Sequence, residues 1–258
     1  MGPHTLVLAD VSLPPPSGHL NGLTSTPITV IEPHDSKPYK PVEVTYQGYP
    51  AAPMLDQLLG VGWRAPDALV AFEALDGYLS MIPGPKVQRY SPYLVYANAQ
   101  GGDFSVEMPP LNHRVPVGPW YLVWNNVLYP ELQPDGATYW PFQVTRVGIV
   151  DPKTLQPLFP PMLPEKYREG AQLTLKYCLS CHQANGVGGK KIPVDLAQWV
   201  SRQSFARFAT WVLDPSAKNP LTGMPALTPD RPAAERQLMA RQIYGYLRAL
   251  GALGRQPQ

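Results

Sequence analysis

The chain has 258 residues, 44% of them hydrophobic and 16% charged, with a formal net charge of +2 at pH 7. That length allows two buried cores, and the composition is too apolar for a disordered chain. No basic run interleaved with aromatics suits nucleic acid, and without about 18 consecutive apolar residues no transmembrane helix is expected.

The small net charge hides an asymmetry. Residues 1–151 carry 7 Lys and Arg against 13 Asp and Glu, about −6, whereas residues 152–258 carry 14 against 6, about +8. The halves are expected to attract each other, and the basic half to attract acidic partners. The 33 prolines lie singly or in short clusters without a repeat, which points to loop-rich folded structure.

In chain order, residues 1–40 read mostly as connector around one short strand, Ile28–Ile31, bracketed by Pro14-Pro15-Pro16-Ser17-Gly18 and Pro33-His34-Asp35-Ser36-Lys37-Pro38. Val42–Tyr46 alternates as a strand and turns at Gly48-Tyr49-Pro50. Met54, Leu55, Leu58 and Leu59 follow at helical spacing, closed by Gly60. Ala68–Ala74 reads as a buried strand broken at Asp76-Gly77-Tyr78. Strands at Tyr93–Ala97, Trp120–Trp124 and Phe142–Val150 complete a mainly β half with one or two small helices.

The order of these elements resembles the small molybdopterin-binding domain of sulfite-oxidase-type oxidoreductases over roughly residues 40–150. The resemblance rests on Tyr46-x-Gly48-x-Pro50, the strand into Asp76-Gly77-Tyr78, Leu94-x-Tyr96-Ala97 before Gly101-Gly102, and Gly118-Pro119-Trp120-Tyr121-Leu122-Val123-Trp124. That family holds its metal with a cysteine thiolate, and this half contains no cysteine, so molybdopterin is not expected. The resemblance then implies a scaffold reused for partner docking, haem positioning or a different ligand. Asp76, Tyr78, His113 and Arg114 are the candidate lining of an anion pocket, set against the plainer readings of a turn and a surface histidine. His4, His19, His34 and His113 show no metal-ligand spacing, and no G-x-S-x-G, P-loop or G-x-G-x-x-G occurs.

Residues 152–163, rich in proline, read as an extended, stiff linker. Pro164-Glu165 then opens a helix that runs into Cys178-Leu179-Ser180-Cys181-His182. Cys-x-x-Cys-His is the attachment signature of a c-type haem: each thiol adds to one vinyl group, and His182 offers a neutral imidazole to the iron. These are the only two cysteines. A disulfide is the plainer alternative for an exported chain. Asn185–Gly189 reads as a loop, Ser204–Leu213 as a helix stopped by Asp214-Pro215, and Asp230 to about Leu250 as the last helix.

This half is similar to a class I cytochrome c across about 90 residues. The resemblance rests on the Cys-x-x-Cys-His helix, on Tyr246-Leu247 in the last helix, and on Thr222-Gly223-Met224-Pro225 between the middle and last helices. It implies a small residue where the first and last helices cross, which Gly170 supplies, whereas Thr174 stands where a bulkier residue is usual. It also implies Met224 as sixth ligand, with Met162 and Met239 as worse-placed competitors, and a carbonyl beside Pro193 accepting from the His182 ring. Phe205, Phe208, Trp211 and Leu227 would pack about the porphyrin, and Trp199 and Trp211 serve as packing residues rather than electron relays. His182 and Met224 together would leave no open coordination site and favour outer-sphere electron transfer.

The sequence therefore leads to an α+β two-domain protein. Residues 1–151 form a mainly-β, sulfite-oxidase-like domain, 152–163 a linker, and 164–258 an all-α class I cytochrome c domain carrying one covalent haem c. The expected function is single-electron transfer with redox protein partners, acidic at the haem face, and no nucleic acid. Alternatives are an oxidoreductase whose N-terminal half oxidises a small anion, and a haem-based binding or sensing module. Covalent haem implies a periplasmic or otherwise extracytoplasmic site. The start Met1–Leu6, which lacks signal-peptide features, is then expected to be a mature or re-engineered one.

Overall fold

Alternating apolar side chains in the first half build two antiparallel sheets in the computed structural model, which describes residues 7–16, 20, 22–37, 39–108 and 113–253. Met1–Leu6, His4, His19, Ser17-Gly18 and Pro38 lie outside the described residues. The strands are β1 (Val7–Ser12), β2 (Thr26–Ile31), β3 (Glu43–Pro50), β4 (Leu69–Ala74), β5 (Leu79–Pro83), β6 (Tyr93–Asn98), β7 (Ser105–Met108), β8 (His113–Pro116), β9 (Tyr121–Val123) and β10 (Val144–Val150). One sheet has the order β1-β10-β4-β5, the other β2-β3-β6-β9, and β7 pairs with β8 as a hairpin. Helices α1 (Ala51–Leu59) and α2 (Gly84–Tyr90) connect strands within this half.

The β4-β5 hairpin decides how the two halves meet. Side chains alternate across a strand, so β4 sends Val70 and Phe72 into a core shared with Val30, Tyr46 and Trp120, and β5 sends Ile82 there. The opposite face, with Ala71, Leu79 and Met81, joins a second core with Leu179, Phe208, Tyr246 and Leu247. Burial on both faces is why Ala68–Ala74 reads as a continuous apolar run.

The second half contains α3 (Arg168–Tyr177), α4 (Leu196–Val200), α5 (Phe205–Leu213) and α6 (Ala233–Leu253), with a ribbon of β11 (Gln183–Ala184) and β12 (Val187–Gly188) between α3 and α4. The expected fold class is corrected here. This half is not an all-α class I cytochrome c domain: it has one long helix, α6, with short helices, single turns of 3-10 helix and a β ribbon around it. The cause is local. Asn185 (φ 48°) and Gly186 (φ 78°) both take positive φ, the conformation of a two-residue hairpin turn. Residues 183–188 therefore pair as strands instead of looping.

Two other segments differ from expectation. Residues 152–158 coil into a 3-10 helix that Asp151 caps by accepting from the Lys153 backbone N–H at 2.9 Å. Leu158 is buried, and its carbonyl accepts from the Tyr246 hydroxyl at 2.8 Å, which pins this stretch beneath α6. Val7–Ser12, read as connector, is the edge strand beside β10. The crossing at Gly170 is present: a Cβ there would lie 2.2 Å from the Gln242 carbonyl oxygen of α6. Thr174 is buried next to it and turns its hydroxyl onto the Gly170 carbonyl at 2.7 Å, which removes the polar mismatch of a threonine in the core. No described helix is long and apolar enough to cross a membrane.

Candidate haem-attachment turn

α3 ends in a tight turn. The backbone N–H groups of Cys178 and Leu179 both reach the Thr174 carbonyl, at 2.9 and 3.1 Å, and that of His182 reaches the Cys178 carbonyl at 3.1 Å. The chain then folds back over itself, with the Gly189 N–H on the Leu179 carbonyl at 2.7 Å and the Ile192 N–H on the Cys181 carbonyl at 3.0 Å. Only glycine fits at 189, because a Cβ would stand 2.0 Å from the Ser180 carbonyl oxygen.

Cys178 and Cys181 are not joined to each other. Burial pushes their thiols up, to about 12 for Cys178 and about 11 for Cys181, so neither is the poised thiolate that disulfide exchange needs. Burial lowers the pKa of His182, which keeps its imidazole neutral, the form that binds a metal. Its Nδ1 is buried without a hydrogen-bond partner. The carbonyl expected beside Pro193 does not serve it, and Pro193 itself is exposed.

Met224 lies on the loop before α6, where its N–H meets the Thr222 hydroxyl at 3.2 Å. Met224 and Cys178 pack against the same apolar cluster, which contains Phe208 and Leu227. The competitors are placed otherwise: Met162 is exposed, and Met239 is buried with its sulfur accepting from the Thr228 hydroxyl at 3.8 Å. Phe205 and Phe208 pack on Tyr244, and Trp199 on Phe208, so these rings form one packed group; Trp211 is half-buried.

These residues fit a covalent haem. Two unbonded thiols three apart face the same turn as a neutral imidazole with an unserved buried nitrogen, and Ile192, Val194 and Leu221 leave apolar surface open on the flanking segments. Among the described residues no group of three or more His, Cys, Asp and Glu could hold a metal ion. Two surface clefts, of about 300 and 450 Å³, run along α3 and α6, and none of Cys178, Cys181, His182 or Met224 lines them.

The four residues named as an anion pocket separate. Asp76 and Tyr78 sit against the attachment turn, where Asp76 pairs with Lys191 at 2.7 Å. His113 and Arg114 lie on β8, exposed, with Arg114 bonded to Ser105 and Asp35. Among the described residues no hydrogen bond or ion pair joins the two pairs.

The sequence reading missed a buried centre. Glu32 is fully buried at the end of β2, and its carboxylate accepts from the Tyr46 hydroxyl at 2.8 Å and from Tyr121 at 3.0 Å, with His34 Nδ1 at 2.8 Å. Burial alone would raise its pKa, but the His34 contacts and the Tyr46 hydroxyl outweigh that and hold it below the ordinary value. An acid directly after the apolar run Thr26–Ile31, two before a histidine, was the available signal.

No protein-family model matches the chain, and no curated protein matches it.

Proposed function

We propose that this chain is an exported, monohaem c-type protein that passes single electrons through an iron held by His182 and Met224. The observation that carries the reading is the Cys178–His182 turn, where two unbonded thiols accompany a neutral imidazole whose Nδ1 is buried and unserved. A haem bound there supplies a one-electron couple that makes and breaks no bond. Cys178 and Cys181 tether it, while burial of His182 removes the proton that would compete for the ligating nitrogen. Met224 would supply a thioether as the second ligand, and Phe208 and Leu227 would keep water from the apolar cluster on which it packs. Closed coordination by two side chains favours electron transfer over oxygen chemistry.

The charge of the second half suits acidic redox proteins as donor or acceptor, and covalent attachment suits an extracytoplasmic compartment. Purification from a periplasm that carries haem-maturation machinery tests the reading. One equivalent of covalent haem by pyridine haemochrome is expected, lost in the Cys178→Ala/Cys181→Ala variant. Met224→Ala is expected to lose weak near-infrared absorption and to lower the midpoint potential. Wild-type protein without covalent haem overturns the proposal.

A further inference from the structure

The N-terminal half holds the attachment turn from both sides. Upstream, Asp135 accepts from Lys176 Nζ at 2.7 Å and from the Tyr177 hydroxyl at 3.2 Å, and pairs with Arg231 at 3.0 Å. Downstream, the tip between β4 and β5 lies directly on the turn. The Leu79 N–H donates to the Ser180 carbonyl at 2.8 Å, and the Lys190 N–H donates to the Gly77 carbonyl at 2.9 Å. The backbones pass so closely that a Cβ on Gly77 would lie 3.3 Å from the Lys190–Lys191 peptide, and Gly77 takes φ 82° there.

Beside those two backbone bonds, Asp76 and Lys191 form their ion pair, and the Lys191 ammonium stands 6.0 Å from the centre of the Tyr78 ring. The Ile192 N–H donates to the Cys181 carbonyl at 3.0 Å, which places Lys191, and with it the ion pair, next to that cysteine.

We propose that the hairpin tip Asp76–Leu79 is the element through which the N-terminal half tunes the midpoint potential of the haem, by setting the Asp76–Lys191 ion pair beside the Cys181 attachment point. The proposal rests on the haem reading above. The oxidised iron carries one more positive charge than the reduced iron, so a nearby anion lowers the potential and a nearby cation raises it. Held together, the two charges largely cancel. Removing one uncovers the other.

The test uses the full-length, haem-loaded protein in a spectroelectrochemical titration. Asp76→Asn is expected to raise the midpoint potential and Lys191→Gln to lower it, with the double variant returning close to wild type. Both single variants break the same ion pair, so denaturant stability is expected to move in the same direction in each. Potentials that move oppositely while stabilities move together separate a field effect from loss of support. Both side chains are about a third exposed, so the potential shifts are expected to shrink as salt is raised. Potentials that stay at the wild-type value, or move the same way in both variants, overturn the tuning role while covalent haem shows the earlier reading intact. Absence of covalent haem from the wild type overturns both.

Discussion

Two polar centres of the chain, at Glu32 and at His182, are held in opposite ways. Around Glu32, both carboxylate oxygens are engaged by Tyr46, Tyr121 and His34, and aromatic rings close over the group, with Phe142 edge-on to His34 at 5.9 Å. Around His182, the imidazole is neutral and its buried Nδ1 has no partner. A satisfied buried centre is complete as a folded object, and its hydrogen bonds hold neighbouring strands in place. An unsatisfied one costs free energy until something else occupies the site. The Tyr49 hydroxyl and Ser80 Oγ of the N-terminal half are also buried without a hydrogen-bond partner, but at His182 the unserved atom belongs to a group that can bind a metal.

The largest effect is expected at the satisfied centre. Glu32→Ala removes one acceptor from two tyrosine hydroxyls and one histidine nitrogen at once, leaving donors buried and unpaired, at a cost of about 3–5 kcal/mol. Urea unfolding at neutral pH measures it, and a loss below about 1 kcal/mol would show that the centre is dispensable. The pH dependence follows from the same contacts. The folded pKa of Glu32 lies below its ordinary value of 4.5, so its contribution is present above that value and is lost as pH falls through the folded pKa. Glu32→Gln should therefore flatten the acid limb of the stability profile and leave the alkaline limb unchanged.

Much of this contrast was written in the residues, and some was not. Cys178-x-x-Cys181-His182, the helix crossing at Gly170 and the strands through Ile31, Ala74 and Val150 follow from spacing and periodicity, which are local properties. The β11–β12 ribbon was legible too, because Asn185-Gly186 is a hairpin turn signal that a loop-like composition obscured. The strand β1 pairs with a partner about 140 residues away, and no local pattern reports such a pairing. Likewise, Asp76-Gly77-Tyr78 reads as a polar turn, but what it meets, Ser180 and Lys191, comes from the other half of the chain. Long-range contacts of this kind arise from packing the second face of β4 and β5 and not from the turn itself.

A middle-sized effect is expected where the turn is held closed. Gly189→Ala puts a methyl group 2.0 Å from the Ser180 carbonyl oxygen and 3.1 Å from that of Gly77, both backbone atoms with no rotamer to adopt. Overpacking of this sort costs about 1–3 kcal/mol. Because the carbonyl of Ser180 also accepts from Leu79, the strain spreads into the hairpin tip. Gly223→Ala, on the Met224 loop with open space around it, is the matched control and is expected to stay within about 0.5 kcal/mol of wild type. Equal losses in the two variants would mean that the fold-back over the attachment turn is not tightly held.

The smallest effect is expected at the unsatisfied centre, and it is the measurement that sharpens the contrast most. In haem-free protein, obtained in the Cys178→Ala/Cys181→Ala background, His182→Ala removes a half-buried imidazole whose Nδ1 makes no hydrogen bond. The lost packing destabilises, while removing an unserved buried nitrogen recovers part of a penalty that runs to about 1–3 kcal/mol. The two contributions oppose each other, so the net change is expected to be below about 1 kcal/mol in urea unfolding. At Glu32 the corresponding contributions have the same sign, because deleting the acceptor creates unpaired groups instead of removing one. If His182→Ala cost as much as Glu32→Ala, His182 would be part of the architecture, and the two centres would be of one kind.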